Sequence, residues 1–280
     1  MINKAYLEIT NVCNFSCSFC HKTSREKKFL TEKEFEQLTD KLIGKIKYLY
    51  FHLMGEPTLH PLLPRFIEIA KAKGFMPIIT TNGSLLKEKG NNILNCPPHK
   101  ISISLHAPSA NTAFSDSSYL DECIEFAKNA AKKGCYIALR LWNIGSEGEK
   151  DNEIILNKLH KAFTQEWTDV RNGNGKKLDT YIYLEFANRF DWPDITLTDC
   201  CQENNTFCYG LRDQVGILCD GSVVPCCLDA DGVITLGNLF DNSLDEILSS
   251  ERAKSIYDGF SCRQAVEPLC RKCGYAKRFS

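Results

Sequence analysis

The sequence predicts an α/β fold, a partial (β/α)6 barrel followed by a small cysteine-rich C-terminal domain built from a β-hairpin and a helix. Three observations predict it. Short β-rich runs alternate with helical patterns through the first two thirds of the chain, uncommon residue combinations recur just after each run, and beyond about residue 190 the pattern changes to turns and cysteines.

Six runs rich in β-branched and aromatic residues read as strands: AYLEIT (5–10), IKYLYFHL (46–53), FMPIITT (75–81), KISISL (100–105), CYIALRLW (135–142) and TYIYLEF (180–186). Between them lie helical patterns. One begins near Thr31, where Thr31 and Glu34 form a capping box; others cover about 61–73, a stretch after Ser84, about 119–133 ended by Gly134, and about 150–163. Strands separated by helices imply a parallel sheet with right-handed crossovers, and six such units without a closing pair imply an open barrel. The segments TNVCNFSCSFC, MGEP (54–57), TNG (81–83), SLHA (104–107), Arg140 to Asn143 and ANRFDW (187–192) then share one rim. That rim is the carboxyl end of the strands, where parallel α/β folds build active sites.

In the last third, VGILC and SVVPC flank Asp220-Gly221, a hairpin turn signal, and LGNLFDNSLDEIL leads into a helix capped by Ser243 with Glu246 three residues on. Residues 1–190 read as the main domain and 191–280 as a small one. With few apolar helices, the second calls for a metal staple.

Composition narrows the function classes. The 34 basic and 35 acidic residues nearly cancel, and no long single-sign run offers attraction to nucleic acid or to an anionic membrane, so neither partner is expected. The opening MINKAYLEIT lacks the basic and apolar regions of a secretory signal, which leads to an expectation of cytoplasmic location. In that setting an odd number of cysteines, 15, reads as reduced thiols serving as metal ligands or core residues.

Cys13, Cys17 and Cys20 lie on one loop with no fourth cysteine nearby. A closed structural site has four protein ligands, whereas three thiolates around a 4Fe-4S cube leave one iron open to bind something else. Half of a zinc site is the plainer alternative.

C-x3-C-x2-C with Phe19 before the last cysteine, on the loop after the first strand of a partial barrel, resembles the radical S-adenosylmethionine (SAM) superfamily over about residues 5–190. The resemblance implies that the open iron chelates the amino and carboxylate groups of SAM. It also implies that the reduced cluster cleaves the sulfonium to a 5'-deoxyadenosyl radical, which takes hydrogen from the substrate. Gly55 and Glu56 match a turn whose backbone meets the methionine amino group, with Met54 where a first glycine is usual. Asn82 and Gly83 match the end of the third strand, and Ser104 resembles the serine that touches the ribose. Arg140 resembles a basic residue that pairs with the SAM carboxylate, a task suited to guanidinium. His106 and Ala107 stand where Asp-Gly is common. The structural alternatives are a rim salt bridge for Arg140, ordinary strand residues for Ser102 and Ser104, and turn chemistry for Glu56.

Cys208 and Cys226 bracket the hairpin, and Cys270 and Cys273 form C-x2-C near the end. These four resemble the twitch module, the short form of the SPASM domain, which holds one auxiliary 4Fe-4S cluster. Position 279 is Phe, where a full SPASM domain continues with cysteine. Four thiolates close a site, so this cluster is expected to carry electrons. Cys219 or Cys262 is an alternative ligand, Cys200 and Cys201 remain unassigned, and a tetrahedral zinc site is the alternative for the whole set. Cys226 and Cys227, adjacent on a strand, are expected to face opposite ways. Cys96, Cys123 and Cys135 read as core residues.

Size and cluster count resemble the twitch-bearing dehydrogenases of aminocyclitol alcohols. The resemblance implies oxidation of a small-molecule alcohol such as an aminocyclitol or sugar, with the auxiliary cluster accepting an electron and a flavodoxin- or ferredoxin-type reductant as partner. His106, Trp142, Asn188, Arg189 and Asp191 are the candidate substrate contacts, all near strand ends. One alternative is radical modification of a ribosomally made peptide by thioether formation or epimerisation; the first strand's start near residue 5 favours a small molecule. The other is a zinc-stapled non-catalytic binding module.

Overall fold

A computed structural model describes residues 2–279 apart from 112, 113, 115, 172 and 197–205. The strands are β1 (Lys4–Leu7), β2 (Tyr48–Tyr50), β3 (Met76–Thr81), β4 (Lys100–Ser104), β5 (Tyr136–Ile144), β6 (Thr168–Asp169), β7 (Gly175–Asp179), β8 (Ile182–Asn188), β9 (Gln214–Ile217), β10 (Ser222–Val224) and β11 (Gly237–Asn238). The helices are α1 (Glu32–Asp40), α2 (Leu63–Ala72), α3 (Leu86–Ile93), α4 (Tyr119–Lys132), α5 (Asn152–Ala162), α6 (Leu244–Leu248), α7 (Glu251–Ser261) and α8 (Pro268–Arg271). All lie in or against one open sheet, ordered β11-β10-β9-β1-β2-β3-β4-β5-β8-β7-β6.

The six expected strands are β1 to β5 and β8, and the expected crossover helices are α1 to α5. Thr31 caps α1 as the sequence implies: its side chain accepts the Glu34 N–H, and the Glu34 carboxylate accepts the Thr31 N–H at 2.8 Å. The crossover helices cover one face of the sheet. There Phe35 stacks on Phe66 at 4.1 Å and meets Phe51 edge-on at 5.5 Å, all three fully buried. Burial of each ring contributes about 2–3 kcal/mol. Along β5 the period of two sends Leu139 and Leu141 into this core and Arg140 and Trp142 to the opposite, inner face.

Three features depart from the expectation. The stretch between α5 and β8, unassigned in sequence, holds the antiparallel pair β6–β7, which extends the sheet beyond β8. The helix announced by Ser243 ends at Leu248, and Ser250 caps a second helix, α7. Finally, β9 of the C-terminal region pairs in parallel with β1, Lys4 to Leu7 against Gln214 to Ile217. The small domain therefore shares the barrel's sheet. Among the described residues no helix is long and apolar enough to cross a membrane.

Candidate active site

The loop carrying the first three cysteines is closed at its base. Thr10 Oγ1 donates to the Lys28 carbonyl at 2.8 Å, and Asn11 accepts the Lys28 N–H at 2.8 Å while donating to the Glu26 carbonyl at 2.8 Å. Asn14 fixes the tip: it accepts from Asn82 Nδ2 at 2.9 Å and donates to Ser84 Oγ at 2.9 Å. Asn82 thus holds the cysteine loop against the end of β3. Burial, with Glu56 and Cys20 nearby, pushes the Cys13 thiol up to about 11, and burial with Cys20 and Cys13 pushes Cys17 up to about 12; burial also raises Cys20. Thiols crowded into one another's field ionise when a cationic centre replaces their protons, so the donor set fits an iron cluster.

The MGEP turn packs beneath this loop. Gly55 has φ +76°, and a Cβ there would stand 2.4 Å from the Thr10 carbonyl oxygen, so a side chain is excluded twice over. The Glu56 N–H donates to the Val12 carbonyl at 2.8 Å. The Glu56 carboxylate is buried and already accepts from Thr58 N–H, Thr58 Oγ1, Thr81 Oγ1 and Asn82 N–H at 2.7–3.0 Å. Burial raises its pKa and these donors oppose the rise. Its side chain is thereby committed to joining the turn to the end of β3, while Met54 donates its N–H to Glu8 at 3.2 Å.

At the ends of β4 and β5, His106 Nδ1 lies 3.1 Å from the Arg140 carbonyl oxygen and 3.4 Å from Trp142 N. The shorter contact assigns the proton to Nδ1, which leaves Nε2 a free lone pair. Burial, reinforced by Arg140, lowers its pKa to about 4. Arg140 lies with its guanidinium 3.3 Å from the centre of the Trp142 ring, and burial lowers its pKa to about 10. Its Nη1 has a 3.5 Å contact with Thr80 Oγ1, and its Nε is buried without a partner.

These groups face a cavity of about 200 Å³. Phe19 brings the cysteine loop to one wall, with Ser104, His106, Arg140 and Trp142 beside it; Arg189, Phe190 and Trp192 form a second wall, and Cys227 and Leu228 a third. An outer cavity of about 190 Å³ shares Phe19, His106, Trp142 and Arg189 and reaches the segment from Ser146 to Asp151. Of the candidate substrate contacts, His106, Trp142 and Arg189 line these cavities. Asn188 and Asp191 do not: the Asn188 carbonyl accepts from Arg278, and the Asp191 carbonyl accepts the Gly274 N–H at 3.2 Å. Phe190 and Trp192, from the same ANRFDW rim segment, and His52 line the inner cavity in their place, though none is among the candidate contacts named from the sequence. For His52 a signal existed, since Tyr48, Tyr50 and His52 alternate along β2 and its continuation.

Cys208, Cys226, Cys270 and Cys273 converge on the other side. Burial raises Cys226 well above the usual thiol range, with Cys227, Cys208, Cys270 and Cys273 all adding to the effect; Cys270 is likewise raised by burial, Cys208 and Cys273. The donor chemistry again fits a cluster. Cys227 lines the cavity and its thiol meets the Tyr6 hydroxyl, while Cys208 and Cys273 also act on it. Cys219 stands apart, 3.7 Å from Arg25 Nη1, and Cys262 is exposed at the end of α7. Cys200 and Cys201 lie outside the described residues. Among the described residues no three His, Cys, Asp or Glu side chains are spaced to hold a single metal ion.

A polar seam joins the two cysteine regions. Asp231 accepts from His21 Nε2 at 2.9 Å, Thr23 Oγ1 at 2.7 Å and Ser24 N–H at 3.0 Å. Partial burial opposes its ionisation, but the bonds from Thr23 and His21 bring its pKa below the usual carboxylate range. Arg25 donates to the fully buried Glu8 at 2.7 Å and to the Ala230 carbonyl at 2.8 Å, and Glu8 also accepts the Cys219 N–H at 3.1 Å.

The radical SAM superfamily model matches residues 7–159, and the model of SPASM, an iron-sulfur cluster-binding domain, matches residues 208–274. The chain belongs to the radical SAM superfamily. A probable GTP 3',8-cyclase of Saccharolobus solfataricus is 25% identical over 275 residues, covering 88% of this chain and 89% of that protein. One of Sulfolobus acidocaldarius is 25% identical over 291 residues, covering 90% and 89%. Among solved structures, BtrN in complex with AdoMet and 2-DOIA superposes with a TM-score of 0.61 at 17% identity over 98% of this chain and 93% of that one. Streptococcus suis SuiB bound to S-adenosylmethionine gives 0.63 at 15% over 98% and 72%. These likenesses establish the fold, a partial barrel with a C-terminal cluster domain. This radical SAM enzyme therefore uses SAM, a SAM-binding 4Fe-4S cluster and an auxiliary cluster, which replaces the zinc-stapled alternative.

Proposed function

We propose that this radical SAM enzyme oxidises a small-molecule alcohol, with Cys13, Cys17 and Cys20 holding the SAM-binding cluster and Cys208, Cys226, Cys270 and Cys273 the auxiliary one. One observation carries the reading: a single cavity is walled by Phe19 of the first cysteine loop and by Cys227 and Leu228, next to Cys226 of the second set. When bound, SAM and the two clusters supply a hydrogen-abstracting radical at one wall and an electron acceptor at another. Oxidation of the substrate would remove a hydrogen atom from its carbinol carbon, a proton from its hydroxyl and one electron as the carbonyl forms. His106, whose Nδ1 is engaged by the Arg140 carbonyl, is our candidate to take that proton on Nε2. Its lowered pKa keeps it neutral, so that the ring can accept a proton, and makes it a weak base. Asn82, through Asn14, and Gly55, against Thr10, orient the cysteine loop, and Trp142 with Trp192 and Phe190 keeps water from the radical.

Solved BtrN, which this chain matches over nearly its whole length, contains AdoMet and 2-DOIA, and that supports a small molecule. The names of the curated relatives favour a second reading, ring closure within a nucleotide. Product mass separates the two. Oxidation of an alcohol deuterated at its carbinol carbon transfers deuterium to 5'-deoxyadenosine and gives a carbonyl product lighter by that deuterium and the hydroxyl hydrogen. A product that has lost the deuterium but gained a solvent hydrogen in its place, one mass unit below the labelled substrate, would overturn the oxidation reading in favour of cyclisation.

A further inference from the structure

The second set of thiols stands close to the surface, for Cys208, Cys270 and Cys273 are only partly buried. Beside them runs a strip of four rings. Phe207 meets Tyr209 at 5.1 Å, Tyr209 meets Phe279 at 5.2 Å and Phe279 meets Tyr275 at 5.6 Å, each edge to face. Phe207 and Tyr209 flank Cys208 in the chain, and Tyr275 follows Cys273 by two residues. Tyr209 keeps 46% of its surface in water, so part of the strip is an exposed apolar patch rather than core. A guanidinium closes each end: Arg212 lies 5.5 Å from the Phe207 ring and Arg278 4.7 Å from the Tyr275 ring.

Charge around the strip has one sign. Residues 268–279 hold Arg271, Lys272, Lys277 and Arg278 and no acid, in a chain whose 34 basic and 35 acidic residues nearly cancel. Among the described residues none of these four, nor Arg212, is in an ion pair. Arg271 donates to the Ala265 carbonyl at 2.8 Å, Lys272 to the Ile195 carbonyl at 2.6 Å and Arg278 to the Asn188 carbonyl. The acids alongside are engaged elsewhere: Glu267 holds Arg252, Asp213 holds Lys4, and Asp194, on which Lys272 acts, accepts from Thr196. A small apolar centre with a rim of unpaired charge suits a transient electron-transfer encounter, in which charge steers the partner and the contact area stays small. Such a partner must approach the redox centre closely, because electron transfer weakens steeply with distance, and here the strip and the basic segment contain three of the four thiols. Nucleic acid fits less well: rings packed edge to face do not present a row of parallel faces on which bases stack.

We propose that this face docks an acidic one-electron carrier protein, which takes from the auxiliary cluster the electron that substrate oxidation leaves there. The proposal rests on the oxidation reading and on the auxiliary ligand set given above. No bond changes in the step: the oxidised carrier gains one electron and the cluster loses one.

The test uses anaerobically reconstituted enzyme with an acidic plant-type ferredoxin as the probe. In titration calorimetry the ferredoxin should bind, more weakly as salt rises from about 50 to about 300 mM. Lys277→Glu combined with Arg278→Gln should weaken binding at least about tenfold at the lower salt, whereas Lys132→Glu, the same reversal on α4, should not. Lys277→Glu alone should weaken binding while leaving iron content and dithionite-driven SAM cleavage unchanged, which guards against a folding defect. Cys17→Ala enzyme, chemically reduced and then mixed with oxidised ferredoxin in a stopped-flow instrument, should still pass an electron to it, at a rate that falls with salt and with Lys277→Glu. No binding, binding indifferent to Lys277 and Arg278, no electron transfer from Cys17→Ala enzyme, or tighter binding of a single-stranded RNA oligomer or of phosphatidylserine vesicles than of ferredoxin would each overturn the proposal. None of these measurements involves a substrate, so this test and the product-mass test fail independently.

Discussion

Cys13, Cys17 and Cys20 sit on one loop after one strand, whereas Cys208, Cys226, Cys270 and Cys273 come from a connecting segment, the end of a hairpin and a short helix. The first set is oriented by bonds within its own loop at Thr10 and Asn11, and by Asn82 of the β3 end at Asn14. The second is brought together by long-range structure, in which β9 pairs with β10 and Arg252 of α7 bonds Glu267 at the start of α8 at 2.6 and 2.9 Å. A contiguous site can be read from spacing; a dispersed one needs the fold.

The widest separation between the regions should come from their thiols. Cys17→Ala should abolish deoxyadenosine formation from SAM under dithionite, and normal cleavage in that variant would sink the assignment of the first set. Cys273→Ala should retain cleavage within about tenfold yet give no oxidised product; unchanged product yield would remove the auxiliary set from the electron's route. The seam between the regions is next. Glu8→Ala leaves Arg25 facing a buried site without its partner, which should cost about 3–5 kcal/mol in urea unfolding; a loss under about 1 kcal/mol would show that this pair does not join the regions. The smallest effect belongs to the barrel interior alone. Burial holds His52 and His106 neutral, with pKa values of about 3 and about 4. Between those values and the ordinary 6.5 the unfolded chain binds more protons, so stability falls on acidification through that window. From pH 7 to pH 5 the loss is on the order of 2 kcal/mol per ring, and His106→Gln should remove its share of the slope. A slope unaltered by that change would show that His106 is not held neutral by burial.

The same contrast explains what was legible in sequence. Thr31 and Glu34 announced α1 because a capping box is complete within four residues, and the strand-end motifs marked the rim because the β/α alternation fixes where strand ends lie. The β6–β7 pair escaped because RNGNGKK has no alternating apolar pattern; its strand character comes from pairing with β8. Glu56 was expected near SAM through its backbone, and no spacing could reveal that Thr58, Thr81 and Asn82 use its carboxylate. Asn188 and Asp191 share the segment with Arg189, but only the fold shows which side chains turn inward.

The parallel pairing of β9 with β1 places the strand that launches the first cysteine loop between β2 and a partner encoded far downstream. During synthesis β1 has an open edge until Gln214 to Ile217 leave the ribosome, and an open edge invites pairing with other chains. Glu8, at the end of β1, likewise waits for the Cys219 N–H. The first cysteine loop is thus among the first parts made and among the last to be enclosed, and a nascent barrel released early presents an unpaired edge to other chains.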